Sequence, residues 1–500
     1  MSAGNVTEQP ADAPAGFITR LGLIWSQLEG LGMGYNAYVA ANSATTAAQS
    51  LSSYAMFLMS YQPEIGDVET YLSTKNPNFR GFNAVPRPRP NMRQHCSAFI
   101  RPTGADLFMA HDTWGNYNGM LRQYKTYRFD STLSFSSYPG MLNSMDDWYI
   151  SSNKLAIQET TNGVYNNTLY ATYFNSSTVA EWIRVMIANW EATSGQQWTE
   201  LFVYQNSGSY NNQWMVVDMK LFTPPMTASQ LKDNTLWISE TLPGYAERAD
   251  VTDVVRRQGY WASYNIPYFK TIFDLSGNKM MEEQFGSFYS YTNYSRPLIF
   301  KRNYSDVNDL EGMKWIMRYN EFQTDPLSLI PNCTSATNGV CDPAYSAMLT
   351  VASRGDLDPA CTVATMGILC EQVMVGLENL GAIDTKIASW SNMQGESITG
   401  VVISGPTTQG QPVFDYRTVA PSIANETAYP RFGVPIRFDF PFMNYTVGVQ
   451  VLAPPAPAGK NKAIVGIIVG ILGGILAIAI VAVVIQQRSI KTAEGAPLVQ

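Results

Sequence analysis

Histidine and cysteine are scarce in this 500-residue chain, with two of the first, His95 and His111, and five of the second. Charge is scarce as well, at 15% of residues against about 25% in an average soluble chain. With 33 Lys and Arg against 40 Asp and Glu the net charge is −7, which excludes a nucleic-acid binder working through a basic surface. A composition of 45% hydrophobic and 12% aromatic residues excludes disorder, since so much apolar surface can be buried. No Cys-X-X-Cys spacing occurs and no histidine stands near the clustered cysteines, so no metal and no other cofactor is expected.

What is present is unevenly placed. Cys333, Cys341, Cys361 and Cys370 crowd into one stretch, while Cys96 stands alone beside His95 and before His111. Asn-X-Ser/Thr sequons occur at Asn5, Asn166, Asn175, Asn293, Asn303, Asn332, Asn425 and Asn444. An even cysteine set together with many sequons predicts a glycosylated, disulfide-bonded protein of an oxidising lumen. Three pairings are open, and spacing alone prefers Cys333–Cys341 with Cys361–Cys370.

Ala463–Ile485 is an uncharged run of 23 residues, long enough as a helix to reach about 35 Å, against a hydrocarbon core of about 30 Å. It is expected to be a transmembrane helix. Lys460 and Lys462 before it balance Arg488 and Lys491 after it, so orientation rests on the sequons, which all lie upstream. The expectation is a single-pass membrane protein, its bulk extracellular or lumenal at the cell surface, lysosome or other endomembrane, with 486–500 as a cytoplasmic tail. Gly466, Gly470 and Gly474 have the spacing through which two such helices touch in a homodimer. The first twenty residues hold no apolar core of secretory-signal length, so either the true N-terminus is expected further upstream, the preferred reading, or the membrane helix is the only targeting element.

Residues 17–80 read as helical, and 81–94 as an extended proline-rich connector. Cys96–Arg101 and Leu107–Trp114 read as strands joined by the turn Pro102–Asp106. Asn116–Tyr124 reads as a short helix, and Tyr127–Ser136, Asp147–Ile150, Lys154–Thr161 and Gln213–Leu221 as strands. Val179–Trp190 has helical periodicity. The organisation is therefore a helical part over 1–95, one large α+β globule over 96–450, a Pro/Ala stalk over 451–462, and the membrane helix.

A cysteine opening a strand just after an exposed connector has a specific use. If the His95–Cys96 bond is cut, Cys96 acquires a free α-amine, with an ordinary pKa of about 8, that can act as base for its own thiol. The alternative from the residues alone is a buried, inert cysteine.

The stretch CSAFIRPTGADLFMAHDTWGNYNGMLRQYKTYRF (96–129) resembles the nucleophile region of the phospholipase B-like family, the lamina-ancestor-type N-terminal-nucleophile hydrolases. FSSYPG (135–140), QETT (158–161), EWIR (181–184), NSGSYNNQWMVVD (206–218), YWASYNIPYF (260–269), YSRPLIFKR (294–302) and MRYNEFQTDPLS (317–328) follow in the family's order. The resemblance implies a four-layered αββα sandwich, cleaved immediately before the cysteine. It implies Cys96 as nucleophile and new N-terminus, and Thr161, Asn265 and Arg296 as the remaining active-site positions. His111 and Trp114 match the family's pocket, with His95 left behind at the cut. Chemically, the Asn265 amide suits a developing oxyanion. Arg296 suits a carboxylate or phosphate, or a thiol of depressed pKa, and Thr161 suits either the α-amine or the oxyanion. Asn211–Trp214 is read as a polar turn beside the pocket. The activity implied is removal of fatty acyl chains from phospholipids. Amide hydrolysis by the same apparatus, and a silent membrane-tethered glycoprotein using the fold for binding, are the alternatives.

Overall fold

The computed structural model describes residues 12–43, 48–76, 78–79, 81, 96–330, 344–360, 375–395 and 398–446. Three helices come first, α1 (Phe17–Ala41), α2 (Ser53–Ser60) and α3 (Ile65–Lys75). The strands are β1 (Cys96–Pro102), β2 (Leu107–Asn116), β3 (Gln123–Arg128), β4 (Thr132–Ser137), β5 (Trp148–Ser151), β6 (Leu155–Thr161), β7 (Asn212–Asp218), β8 (Leu236–Leu242), β9 (Tyr245–Asp250), β10 (Trp261–Ser263), β11 (Leu380–Ala382), β12 (Asp384–Ser389), β13 (Thr399–Ser404), β14 (Phe414–Asp415), β15 (Arg437–Phe438) and β16 (Met443–Thr446).

Two seven-stranded antiparallel sheets and a short β14-β15 pair result. One runs β10-β1-β2-β12-β13-β16, with β11 also on β2, and the other runs β3 to β9 in sequence order. The second is a meander because each connection returns directly beside its neighbour. The first recruits strands from distant parts of the chain.

Alternation of side chains along each strand sets the layers. On β1, Ala98 and Ile100 join Met109, Trp148, Ala156, Met215 and Val217 in a core between the two sheets. Phe99, from the other face, packs with Ile299, Phe300, Met313 and Ile316. The last four lie on helices at Ser295–Asn303 and Leu310–Met317. On the far side, Leu155, Ile157, Trp214 and Val216 meet Trp182, Val185, Met186 and Trp198, which lie on helices at Glu181–Glu191 and Gly195–Val203. Helix, sheet, sheet and helix thus stack in that order, which gives the mixed α+β architecture its four layers. The upstream helices belong to the same body, since Phe17 and Ile24 of α1 are in the outer core beside Trp182. Asp67 of α3 accepts from the Tyr170 hydroxyl at 2.8 Å and the Tyr210 amide at 2.6 Å.

Several expectations change. The single-pass membrane placement is corrected, because no helix among the described residues is long and apolar enough to cross a membrane. Ala463–Ile485, its glycines, the stalk and the tail lie outside those residues, as do His95, Asn5, Asn332, Cys333, Cys341, Cys361 and Cys370. Tyr127–Ser136 is a hairpin, not one strand, because Phe129–Ser131 turns, with the Asp130 carboxylate accepting from the Ser131 amide at 3.0 Å. Residues 116–124 hold a single 3₁₀ turn, Tyr117–Gly119, before β3 begins. Asn212–Trp214 opens β7 and is not a turn. Asn303 is buried, so its sequon offers no room for a glycan, whereas Asn175, Asn293, Asn425 and Asn444 are exposed and Asn166 half-buried.

The inter-sheet core is the layer on which the others lean. Met109→Ala, removing a fully buried side chain from it, is expected to lower stability by about 2–5 kcal/mol, read as a reduced denaturant midpoint.

Candidate active site

Cys96 is the first residue of β1 and pairs across the sheet with Thr113, while Ala98 pairs with His111. His111 therefore lies diagonal to Cys96 on one sheet face, within reach of its side chain. The thiol is free and buried. Its Sγ lies 3.9 Å from Oε1 of Glu159, near the end of β6. Glu159 also receives the Tyr210 hydroxyl at 3.5 Å and, through Oε2, the Thr161 hydroxyl at 3.5 Å.

Two side chains from beyond the hairpin hold the Cys96 backbone. Asn265 has a φ of 72°, a left-handed conformation that asparagine tolerates better than most residues. Its Oδ1 accepts from the Cys96 nitrogen at 3.3 Å, and its Nδ2 donates to the Thr161 carbonyl at 2.8 Å. Arg296 is fully buried at the start of its helix. It donates to the Cys96 carbonyl at 2.5 Å, the Ser97 hydroxyl at 3.4 Å and the Tyr264 carbonyl at 2.8 Å. The guanidinium lies 4.5 Å from the Trp114 ring and 5.4 Å from that of Tyr294, within the range of cation–π attraction.

All six residues singled out by the resemblance, Cys96, His111, Trp114, Thr161, Asn265 and Arg296, are thereby brought together. Their contacts differ from the expected ones. The Asn265 nitrogen expected to face an oxyanion is given to Thr161, and the oxygen faces Cys96. Thr161 turns its hydroxyl to Glu159. Arg296 is committed to backbone carbonyls.

The thiol is not acidified. Burial pushes it well above its ordinary range and the neighbouring Glu159 adds to the rise, so a base must take its proton. His111 is driven the other way, held neutral by burial and by nearby Lys386. Glu159 was missed in the sequence because a glutamate inside QETT reads as an ordinary strand residue. Burial raises its carboxyl, helped by Glu181; burial and Glu159 raise Asp147; and burial and Asp147 raise Glu181. Lys386, opposite His111 on β12, donates to Thr113 at 2.7 Å and Asp384 at 2.8 Å. Arg122 pairs with Asp146 and Asp384, and with both cations nearby, Arg122 foremost, Asp384 falls to about 2 despite its burial.

Sequence comparison places the chain among named proteins. The family profile described as Phospholipase B matches residues 3–445. Phospholipase B-like protein G of Dictyostelium discoideum is 38% identical over 84% of this chain and 68% of its own length. Phospholipase B-like 1 of Rattus norvegicus is 33% identical over 88% of this chain and 72% of its own. A solved structure of penicillin V acylase from Agrobacterium tumefaciens covers 62% of this chain and 82% of that one, with 10% identity and a TM-score of 0.25. That likeness is too slight to carry the fold.

The buried carboxyls set a pH dependence. Burial raises Glu64 and Glu240 from 4.5 to about 7. Each binds its proton more tightly folded than unfolded, so folding takes up protons between about pH 4.5 and 7 and stability falls as pH rises through that window. Unfolding free energy is expected to be higher at pH 5 than at pH 7.5, by up to roughly 3 kcal/mol for each group. Denaturant titrations at the two pH values check this, and Glu64→Gln should flatten the dependence.

Proposed function

Because the chain belongs to the phospholipase B family, we propose that it is a hydrolase that removes fatty acyl chains from phospholipids with Cys96 as an N-terminal nucleophile. The family and the names of its relatives support hydrolase chemistry. The reading of the nucleophile rests on one observation. Cys96 opens β1 with its nitrogen on Asn265 Oδ1 and its carbonyl on Arg296, so a newly made amine there would be aligned from both sides.

Hydrolysis of the His95–Cys96 bond converts that nitrogen into an α-amine whose ordinary pKa is about 8. The amine takes the thiol proton, and the sulfur forms a bond to the acyl carbon. As the tetrahedral adduct collapses, the ester C–O bond breaks and the leaving alkoxide takes the proton from the ammonium. Water then attacks the thioester, giving one proton to the amine, and the sulfur leaves with that proton restored. Fatty acid is released and the thiol is regenerated. Asn265 serves the amine rather than the oxyanion, Arg296 fixes the Cys96 carbonyl, and Trp114 walls the site through its stack on Arg296. Thr161 and His111 act as positioning groups around Glu159.

N-terminal sequencing of the mature protein is expected to return Cys96-Ser97-Ala98. A Cys96→Ala chain should stay uncut and lose acyl hydrolysis of phosphatidylcholine by at least about 10³-fold. A Cys96→Ala chain that is still cut and still releases fatty acid would contradict the reading.

A further inference from the structure

The groups around the thiol carry a second chemistry that acyl transfer does not use. One ligand atom from each of Cys96, His111 and Glu159 lies within 4.8 Å of the others, and all three residues are buried. The His111 ring is set for coordination. Its Nε2 is 2.9 Å from the Glu159 carbonyl, and a carbonyl only accepts, so Nε2 carries the hydrogen. Nδ1 keeps its lone pair, and it is buried with no hydrogen-bond partner among the described residues. A ring whose second nitrogen donates to a backbone carbonyl is the outer-shell pattern of metal-ligating histidines. The Glu159 carboxyl is held loosely. Its contacts to the thiol at 3.9 Å, to Tyr210 at 3.5 Å and to Thr161 at 3.5 Å are at or beyond the limit of an ordinary hydrogen bond.

We infer that Cys96, His111 and Glu159 form a site for one zinc-type divalent cation, bound where the thiol would otherwise attack. Sulfur, imidazole nitrogen and one carboxylate oxygen are ligands that zinc takes together, whereas magnesium and calcium prefer oxygen throughout. Three protein ligands leave a fourth tetrahedral position for water. The thiol and the carboxyl each release a proton on binding. Two negative ligands then meet a doubly charged ion, and the buried site carries no net charge. None of these three groups depends on whether the bond before Cys96 is cut. The sulfur lone pair is now on the metal, so the loaded site does not turn over. That consequence rests on Cys96 being the nucleophile, while the binding does not.

The full chain, stripped of metal by chelator and titrated with Co²⁺, is expected to take up one ion at this site and to develop thiolate-to-cobalt charge-transfer absorption in the near ultraviolet. Zn²⁺ should displace the cobalt, and excess Mg²⁺ should not. Cys96→Ser should abolish the charge-transfer band, and Glu159→Gln, which keeps the side chain's shape, should weaken Co²⁺ binding at least about tenfold, with circular dichroism confirming that both variants fold. Absence of cobalt uptake, a band that survives Cys96→Ser, or an unchanged affinity in Glu159→Gln overturns the inference. Acyl release by the metal-free chain is read separately. A full cobalt spectrum without any acyl release upholds the metal site and sinks the hydrolase reading alone.

Discussion

The guanidinium of Arg296 is the tie between the first residue of β1 and the layer outside it. It is wholly buried, and burial lowers its own pKa, yet among the described residues no carboxylate is a hydrogen-bond partner. Carbonyls of Cys96 and Tyr264, together with the faces of Trp114 and Tyr294, take the place of a counter-ion. A cation held by carbonyl dipoles and aromatic quadrupoles costs desolvation that only close, fixed contacts can offset. The segment from Tyr264 to Asn265, the start of the Arg296 helix and the beginning of the β1–β2 hairpin are therefore constrained together, and the thiol inherits its position from that constraint.

Around this tie the electrostatics favour neutral groups. Cys96, Glu159, Asp147 and Glu181 are all pushed toward their protonated forms and His111 toward its neutral one. A site built in this way holds the thiol in its protonated form, which under the proposed reading is why a base is needed at the cysteine's own nitrogen. The upstream helices contribute to the same low-dielectric wall, since Glu64 is fully buried against Ser209 and the Trp182 amide. The described helices before Cys96 are thus a structural component of the same body.

Much of this was legible in the residues. The Cys96–Pro102 and Leu107–Asn116 hairpin follows from two apolar runs around a Pro-Thr-Gly turn, and Glu181–Glu191 from its helical period. The motif blocks named residues that the fold gathers around Cys96. Their contacts were not legible, because an amide's orientation depends on what lies on both sides of it. Asn265 reverses its expected use only because the Thr161 carbonyl stands against its nitrogen. Glu159 was hidden for a related reason: its neighbour Glu181 is distant in sequence, and its burial comes from the stacking of layers rather than from any local pattern. The absence of Cys-X-X-Cys likewise concealed a ligand set that the β1–β2 register and β6 assemble from separate strands.

The account depends on Cys96 carrying the acyl group. Rapid acid quenching of the full chain during turnover of a phospholipid, followed by peptide mass spectrometry, tests that directly. The prediction is a fatty acyl mass on the peptide that begins with Cys96, labile to hydroxylamine as a thioester is. Turnover with Cys96 unmodified, or with the acyl group on another residue, would contradict it.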